Sequence, residues 1–150
     1  MTGSLLGLQD VVQAALPRLR GIGEVQASAQ GDPSVWSAKQ VLGHLIDSGA
    51  NNHARFVRAG AESGLSLPGY DQNLWANAGD YQSRPWSELV VLWAAYQTQL
   101  SHIIGNLSAE QHGHTLSIGG GAAVTLDFVA TDYTRHQLHH LEQIWERTRP

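Results

Sequence analysis

Three imidazoles crowd one turn of a predicted helix, His136, His139 and His140 in the stretch Asp132-Tyr-Thr-Arg-His-Gln-Leu-His-His-Leu-Glu-Gln-Ile144, and a distant His44 sits in Val41-Leu-Gly-His-Leu-Ile46. At about 100° per residue, His136 and His140 lie about 40° apart around the helix, on the side that carries Val129, Tyr133 and Ile144. His139 falls on the polar side with Arg135, Glu142 and Gln143. The pair able to chelate is therefore His136 with His140. Two ligands from one helix make half a metal site. His44 is the best third ligand, because it borders an apolar stripe of Val41, Leu45, Gly49 and Phe56 and so faces a core. Three neutral imidazoles leave a divalent ion with open positions, where a ligated water or thiol becomes acidic enough to act as a nucleophile.

Four segments with helical periodicity must position these rings, and none of the chain shows sustained alternation, so the expected fold is all-α. The first helix is predicted from about Ser4 to about Ala27, with Pro17 kinking or splitting it. The second follows Trp36, with Ser37 and Gln40 reading as a capping box, and runs to about Ala59, which places His44 two turns inside it. The third opens near Pro85 and runs to about Leu107; the fourth opens near Thr125, after the breaker Gly119-Gly-Gly121, and runs to about Arg147. Between the second and third helices, residues 60 to 83 are rich in Gly, Asn, Asp and Ser yet carry Tyr70, Trp75 and Tyr81. A connection this long either crosses the bundle end to end or covers a site, and here both are expected, with the two flanking helices parallel. Ser108 to Val124, with His112 and His114, reads as a loop, with a short turn capped by Ser108 and Gln111.

Bulk composition bounds the function. A 150-residue chain with 42% hydrophobic residues is the size of one domain and encloses one core, so residues 1–150 are expected to form a single domain. There is no Cys, which fits a reducing cytoplasm and means that any metal is held through nitrogen and oxygen and any thiol chemistry uses a thiol brought in from outside. The net charge of −4, with Lys and Arg scattered, shows no footprint for nucleic acid. No apolar run reaches the roughly 18 residues of a membrane span, and the first residues lack the positive leader of a signal peptide. A soluble cytoplasmic protein acting on a small molecule is the expectation.

Trp36-Ser-Ala-Lys-Gln-Val-Leu-Gly-His-Leu-Ile-Asp47, Gly69-Tyr-Asp-Gln-Asn-Leu-Trp75 and the segment from Asp132 to Ile144 together resemble the DinB-like (YfiT-like) superfamily of metal-dependent four-helix-bundle enzymes in order, spacing and accompanying residues. The resemblance implies a bundle in up-down-down-up order, a metal held by histidines corresponding to His44, His136 and His140, and a homodimer. It also implies a transferase using a low-molecular-weight thiol, or a hydrolase, acting on a small electrophile. Zinc or nickel is the expected ion, since imidazole suits both.

The remaining polar candidates read two ways. Asp132, one turn before His136, and Asp47, Ser48 and Asn51, near His44, could orient the imidazoles, or could be the solvated and capping groups that helical spacing brings together by default. Asp71 and Asn73 could reach the open side of an ion, or could hydrogen-bond within their own turn. Tyr70 and Trp75 could line a pocket mouth or plug the bundle end; Trp36, Trp86, Trp93 and Trp145 read as core. Against the enzyme stands a non-catalytic module whose metal-containing pocket only binds a small molecule or serves a stress response. A reachable pocket facing the open side of the ion favours the enzyme.

Overall fold

The structure, a computed structural model, describes residues 7–150. In chain order its elements are α1 (Leu8–Arg20), α2 (Glu24–Ser28), α3 (Ala38–Ala61), β1 (Leu65–Leu67), α4 (Gln72–Gly79), a 3-10 turn (Tyr81–Ser83), α5 (Trp86–Gly105), α6 (Ala109–His112), β2 (Thr115–Ile118), β3 (Val124–Thr125) and α7 (Leu126–Arg147). The four long helices are those that the apolar periodicity predicts. Their starts have the expected chemistry. Ser37 and Gln40 close a reciprocal capping box on α3, with Gln40 Oε1 accepting from Ser37 N at 2.9 Å, and Thr125 Oγ1 accepts from Phe128 N at 3.1 Å to open α7. The start of α5 is satisfied from elsewhere in the fold: Glu24 Oε2 accepts from Trp86 N at 2.8 Å, while its other oxygen pairs with the buried Lys39 ammonium.

Two sequence expectations need correction. The first helix is two helices, broken at Gly21–Gly23 and not at Pro17, which α1 accommodates in its last turn before the chain resumes as α2. Ser4 and Leu5, where that helix was expected to begin, lie outside the described residues. The fold also contains a small sheet. β1 pairs in parallel with β2, Leu65 opposite Leu116, and β2 pairs antiparallel with β3, so the stretch from Ser108 to Val124 carries a strand where a loop was expected, while α6, opened by the Ser108–Gln111 capping box, is the short turn expected there. Strands of two to four residues are too short for alternation to stand out in sequence, and β1 lies about fifty residues from its partner β2.

Helix directions follow from the two halves of the core. At one end the start of α3 (Val41, Leu42, Leu45) packs with the start of α5 (Trp86, Leu89, Trp93), the end of α1 (Leu19) and the end of α7 (Leu141, Ile144). At the other end Phe56 and Ala59 of α3 meet Leu100 of α5, Leu8 of α1 and Leu126, Val129 and Tyr133 of α7. α3 and α5 are thus parallel, with α1 and α7 antiparallel to them: the four-helix bundle runs up-down-down-up. Each fully buried Leu or Phe here contributes about 1.5–3 kcal/mol of transfer free energy. No helix among the described residues is long and apolar enough to cross a membrane.

Parallel α3 and α5 require the chain to return the length of the bundle, and the segment from β1 to the 3-10 turn does so along α3. It is pinned where Tyr81 lies on Gly43. A Cβ built at Gly43 would fall 2.0 Å from the Tyr81 ring, and one at Gly79 would fall 2.5 Å from it, so both glycines are required by close approach. The Tyr81 hydroxyl donates to Asp47 Oδ1 one turn further along α3.

Candidate metal centre

His44 is positioned by a stretch of α3 in which every residue from 41 to 49 is buried, because α5, α7, α2 and the crossover together enclose it. His136 and His140 come from α7, one turn apart, and face α3 because Val129, Tyr133 and Ile144 on the same stripe are in the core. The three rings meet. His44 Nε2 lies 3.3 Å from His136 Nε2, and His136 Nε2 lies 3.0 Å from His140 Nε2. One nitrogen from each of the three lies within 4.8 Å of the others, the only such group of three His, Cys, Asp or Glu among the described residues. Two nitrogens each about 2.0–2.1 Å from a common ion in tetrahedral geometry stand about 3.4 Å apart, so the observed spacings fit a divalent cation.

Electrostatics match that use. Burial pushes His44 and His136 down to about 4, with neighbouring imidazoles adding to the effect, and burial also lowers His140. The rings are therefore neutral near pH 7, as ligands must be. His140 Nδ1 lies 2.9 Å from Gln143 Oε1, an acceptor, so Nδ1 carries the proton and Nε2 keeps its lone pair for the shared centre. Trp36 flanks His44 at 5.3 Å between ring centroids. His44 Nδ1 is buried without a partner.

A cavity of about 410 Å³ opens beside the cluster, with His44 and His136 in its wall. α3 contributes Ser48, Asn52 and Arg55; α7 contributes Asp132, Tyr133, Val129 and Phe128; the crossover supplies Tyr70 and Gln72; and the end of the sheet closes it with Ile118, Ala122 and Val124. Each polar candidate from the sequence has a definite place. Ser48 lines the cavity, and its carbonyl and hydroxyl accept from Asn52 Nδ2 at 2.9 and 3.3 Å. Asp132 is exposed at the cavity wall, 3.9 Å from Arg135. Asp47 is buried against Tyr81, one carboxylate oxygen bonded to the hydroxyl and the other without a partner, and burial raises its pKa. Asn51 donates to the Asp47 carbonyl at 2.9 Å. Asp71 caps α4, accepting from Asn73 N and Leu74 N at 3.0 and 3.2 Å, and Gln72, not Asp71 or Asn73, lines the cavity. Tyr70 is in the wall, with the half-exposed Trp75 edge-on to it at 6.0 Å. His139 is exposed.

Gln143, Asn52 and Arg55 are functional candidates that sequence reasoning did not single out. Gln143 follows His140 by three residues, and Asn52 and Arg55 continue the His44 stripe of α3 at helical spacing, so the signal was present in both places. The other histidines have separate roles. His53 Nδ1 lies 2.9 Å from the Tyr96 hydroxyl, His114 Nδ1 lies 2.7 Å from the Ala59 carbonyl, and His112 Nδ1 lies 3.1 Å from Asp127.

Known proteins share this fold. The family model described as the DinB superfamily matches residues 8–144. YfiT of Bacillus subtilis, provisionally named a metal-dependent hydrolase, is 25% identical, the match covering 93% of this chain and 81% of YfiT. OB0782 of Oceanobacillus iheyensis, named in the same provisional way, is 27% identical over 73% of this chain and 63% of its own length. The solved structure of YfiT, reported to have an unusual four-helix bundle topology, superposes with a TM-score of 0.80 at 22% identity, covering 93% of this chain and 81% of that one. A mutant of the mycothiol-dependent maleylpyruvate isomerase superposes with a TM-score of 0.72 at 12% identity, covering 91% of this chain and 57% of the isomerase. At these identities the two superpositions bear on the fold alone.

Proposed function

The chain belongs to the DinB superfamily, and from that membership we propose that it is a metal-dependent enzyme whose His44, His136 and His140 hold one divalent ion, zinc or nickel, facing a small-molecule cavity. The observation that carries the reading is the convergence of three neutral imidazoles at ligand spacing beside a cavity. Such an ion supplies Lewis acidity, lowering the pKa of a ligated water or thiol. The chain's own residues do the rest. Gln143 fixes the His140 tautomer, and the packing of Trp36 and α7 around His44 keeps bulk water from that ring. Asp132 is the one carboxylate lining the cavity among the described residues, one turn from His136, and is the group we assign to receive the proton of the attacking nucleophile.

Transfer of a low-molecular-weight thiol to an electrophile is the favoured reaction, with hydrolysis as its alternative. The chain has no Cys to offer as an internal nucleophile, so the thiol enters from solution. The cavity beside the cluster favours an enzyme over a sealed, non-catalytic metal module. Elemental analysis of protein purified without a histidine tag, followed by assays pairing low-molecular-weight thiols with electrophilic acceptors, tests the reading. One equivalent of ion and thiol-dependent turnover are expected. A metal-free, fully folded protein overturns it, and an ion with turnover by water alone moves the reaction to hydrolysis.

A further inference from the structure

One face of α3 reads His44, Ser48, Asn52, Arg55, and all four line the same cavity. α7 runs antiparallel beside it, so counting outward from the His44–His136 pair brings Ser48 level with Asp132 and Asn52 level with Phe128. The metal ligands therefore occupy one end of the cavity and Arg55 the other, about 16 Å further along the helix axis at the Cα level. Between them the wall is polar on α3 and apolar on the β2–β3 side.

Arg55 is half-buried and is held in place. Its Nη1 donates to Asn52 Oδ1 at 3.2 Å and its Nη2 reaches the Pro68 carbonyl at 3.5 Å, while Asn52 is itself anchored to Ser48. Both acceptors are neutral. Among the described residues no carboxylate lies within 4 Å of the guanidinium, and the cavity's one carboxylate, Asp132, leans toward Arg135 instead. A positioned guanidinium with spare donors and no counter-charge, facing a cavity, is the arrangement that takes a planar anion. From these positions we infer that Arg55 binds a carboxylate of the small molecule whose reacting atom lies at the histidine end, so that the ligand is elongated, with its acid and its reactive group at opposite ends. A single guanidinium beside the Tyr70 side chain suits a monoanion better than a phosphate. The inference rests on the metal-site reading for the position of the reacting atom, but not for recognition of the acid.

Calorimetric titration of the purified protein with octanoate and with octanamide, its neutral counterpart, tests this, repeated after treatment with a chelator and with Arg55→Gln and Arg55→Lys. The wild type is expected to prefer the carboxylate about tenfold or more, with or without metal; Arg55→Gln abolishes the preference and Arg55→Lys keeps part of it. Equal affinities in the wild type overturn the assignment, as does a preference that survives Arg55→Gln. A preference that disappears with the metal also overturns it, since the acid would then be a ligand of the ion. Thermal melting and metal content of Arg55→Gln are expected to stay near wild type; a lowered melting point with the carboxylate preference intact makes Arg55 a clamp on Pro68 and overturns the proposal. A protein that binds no metal yet keeps the Arg55-dependent preference sinks the metal reading and leaves this one standing.

Discussion

His44 Nε2 and His136 Nε2 stand 3.3 Å apart although 92 residues separate them in sequence, and the antiparallel packing of α3 on α7 is what brings them together. Loss of either ring removes a ligand contributed by a different helix. His44→Ala is expected to purify with less than a tenth of the wild-type metal, whereas His139→Ala keeps a full equivalent; elemental analysis of both variants checks this.

The orientation of His140 depends on Gln143. Gln143→Leu removes the acceptor for Nδ1 and frees the ring to adopt the other tautomer, so metal affinity should fall about 10- to 100-fold with the fold retained. Competition with a chromophoric chelator measures it, and an unchanged affinity would show that packing alone orients the ring.

Metal-free protein should be acid-labile in a defined window. His44 and His136 have folded pKa values of about 4, below the ordinary histidine value of 6.5, so between those limits the unfolded chain binds more protons than the folded one. Stability is therefore level above pH 6.5 from these groups and declines as the pH falls from 6.5 toward 4. Calorimetric melting of chelator-treated protein across this range should show the decline, and His44→Gln should make it shallower.

Gly43→Ala drives a methyl group into the Tyr81 ring. The crossover must lift off α3, at a cost of about 1–3 kcal/mol or more, because the obstacle is an aromatic ring with its hydroxyl tied to Asp47. Gly49→Ala meets its neighbours at 3.2 Å and should cost less. Urea unfolding of the two variants ranks them.

Much of this molecule is legible before folding, for physical reasons that differ by residue. Apolar periodicity in Val41–Phe56 and Val129–Ile144 specifies both the helices and the faces on which His44, His136 and His140 must lie. Arg55 is only half legible by contrast: its spacing continues the His44 stripe, but its charge reads as solvated until the crossover and the sheet wall it in. Asp71 has two readings in the sequence, reach to the ion or a bond within its own turn, and its capping of α4 is the second. The pairing of β1 with β2 across fifty residues leaves no local trace, because neither segment alone specifies a register with so distant a partner.

That long-range contact has a dynamic consequence. Ser66 pairs with Ser117 across the intervening crossover, α5 and α6, and the sheet is edged by the positive-φ glycines Gly64, Gly119 and Gly120. The wall it forms rests on few backbone bonds, so its amides should exchange with deuterium by local opening at lower free energy than those of α3 and α7. The cavity would then breathe on its sheet side while the helices carrying the imidazoles stay shut.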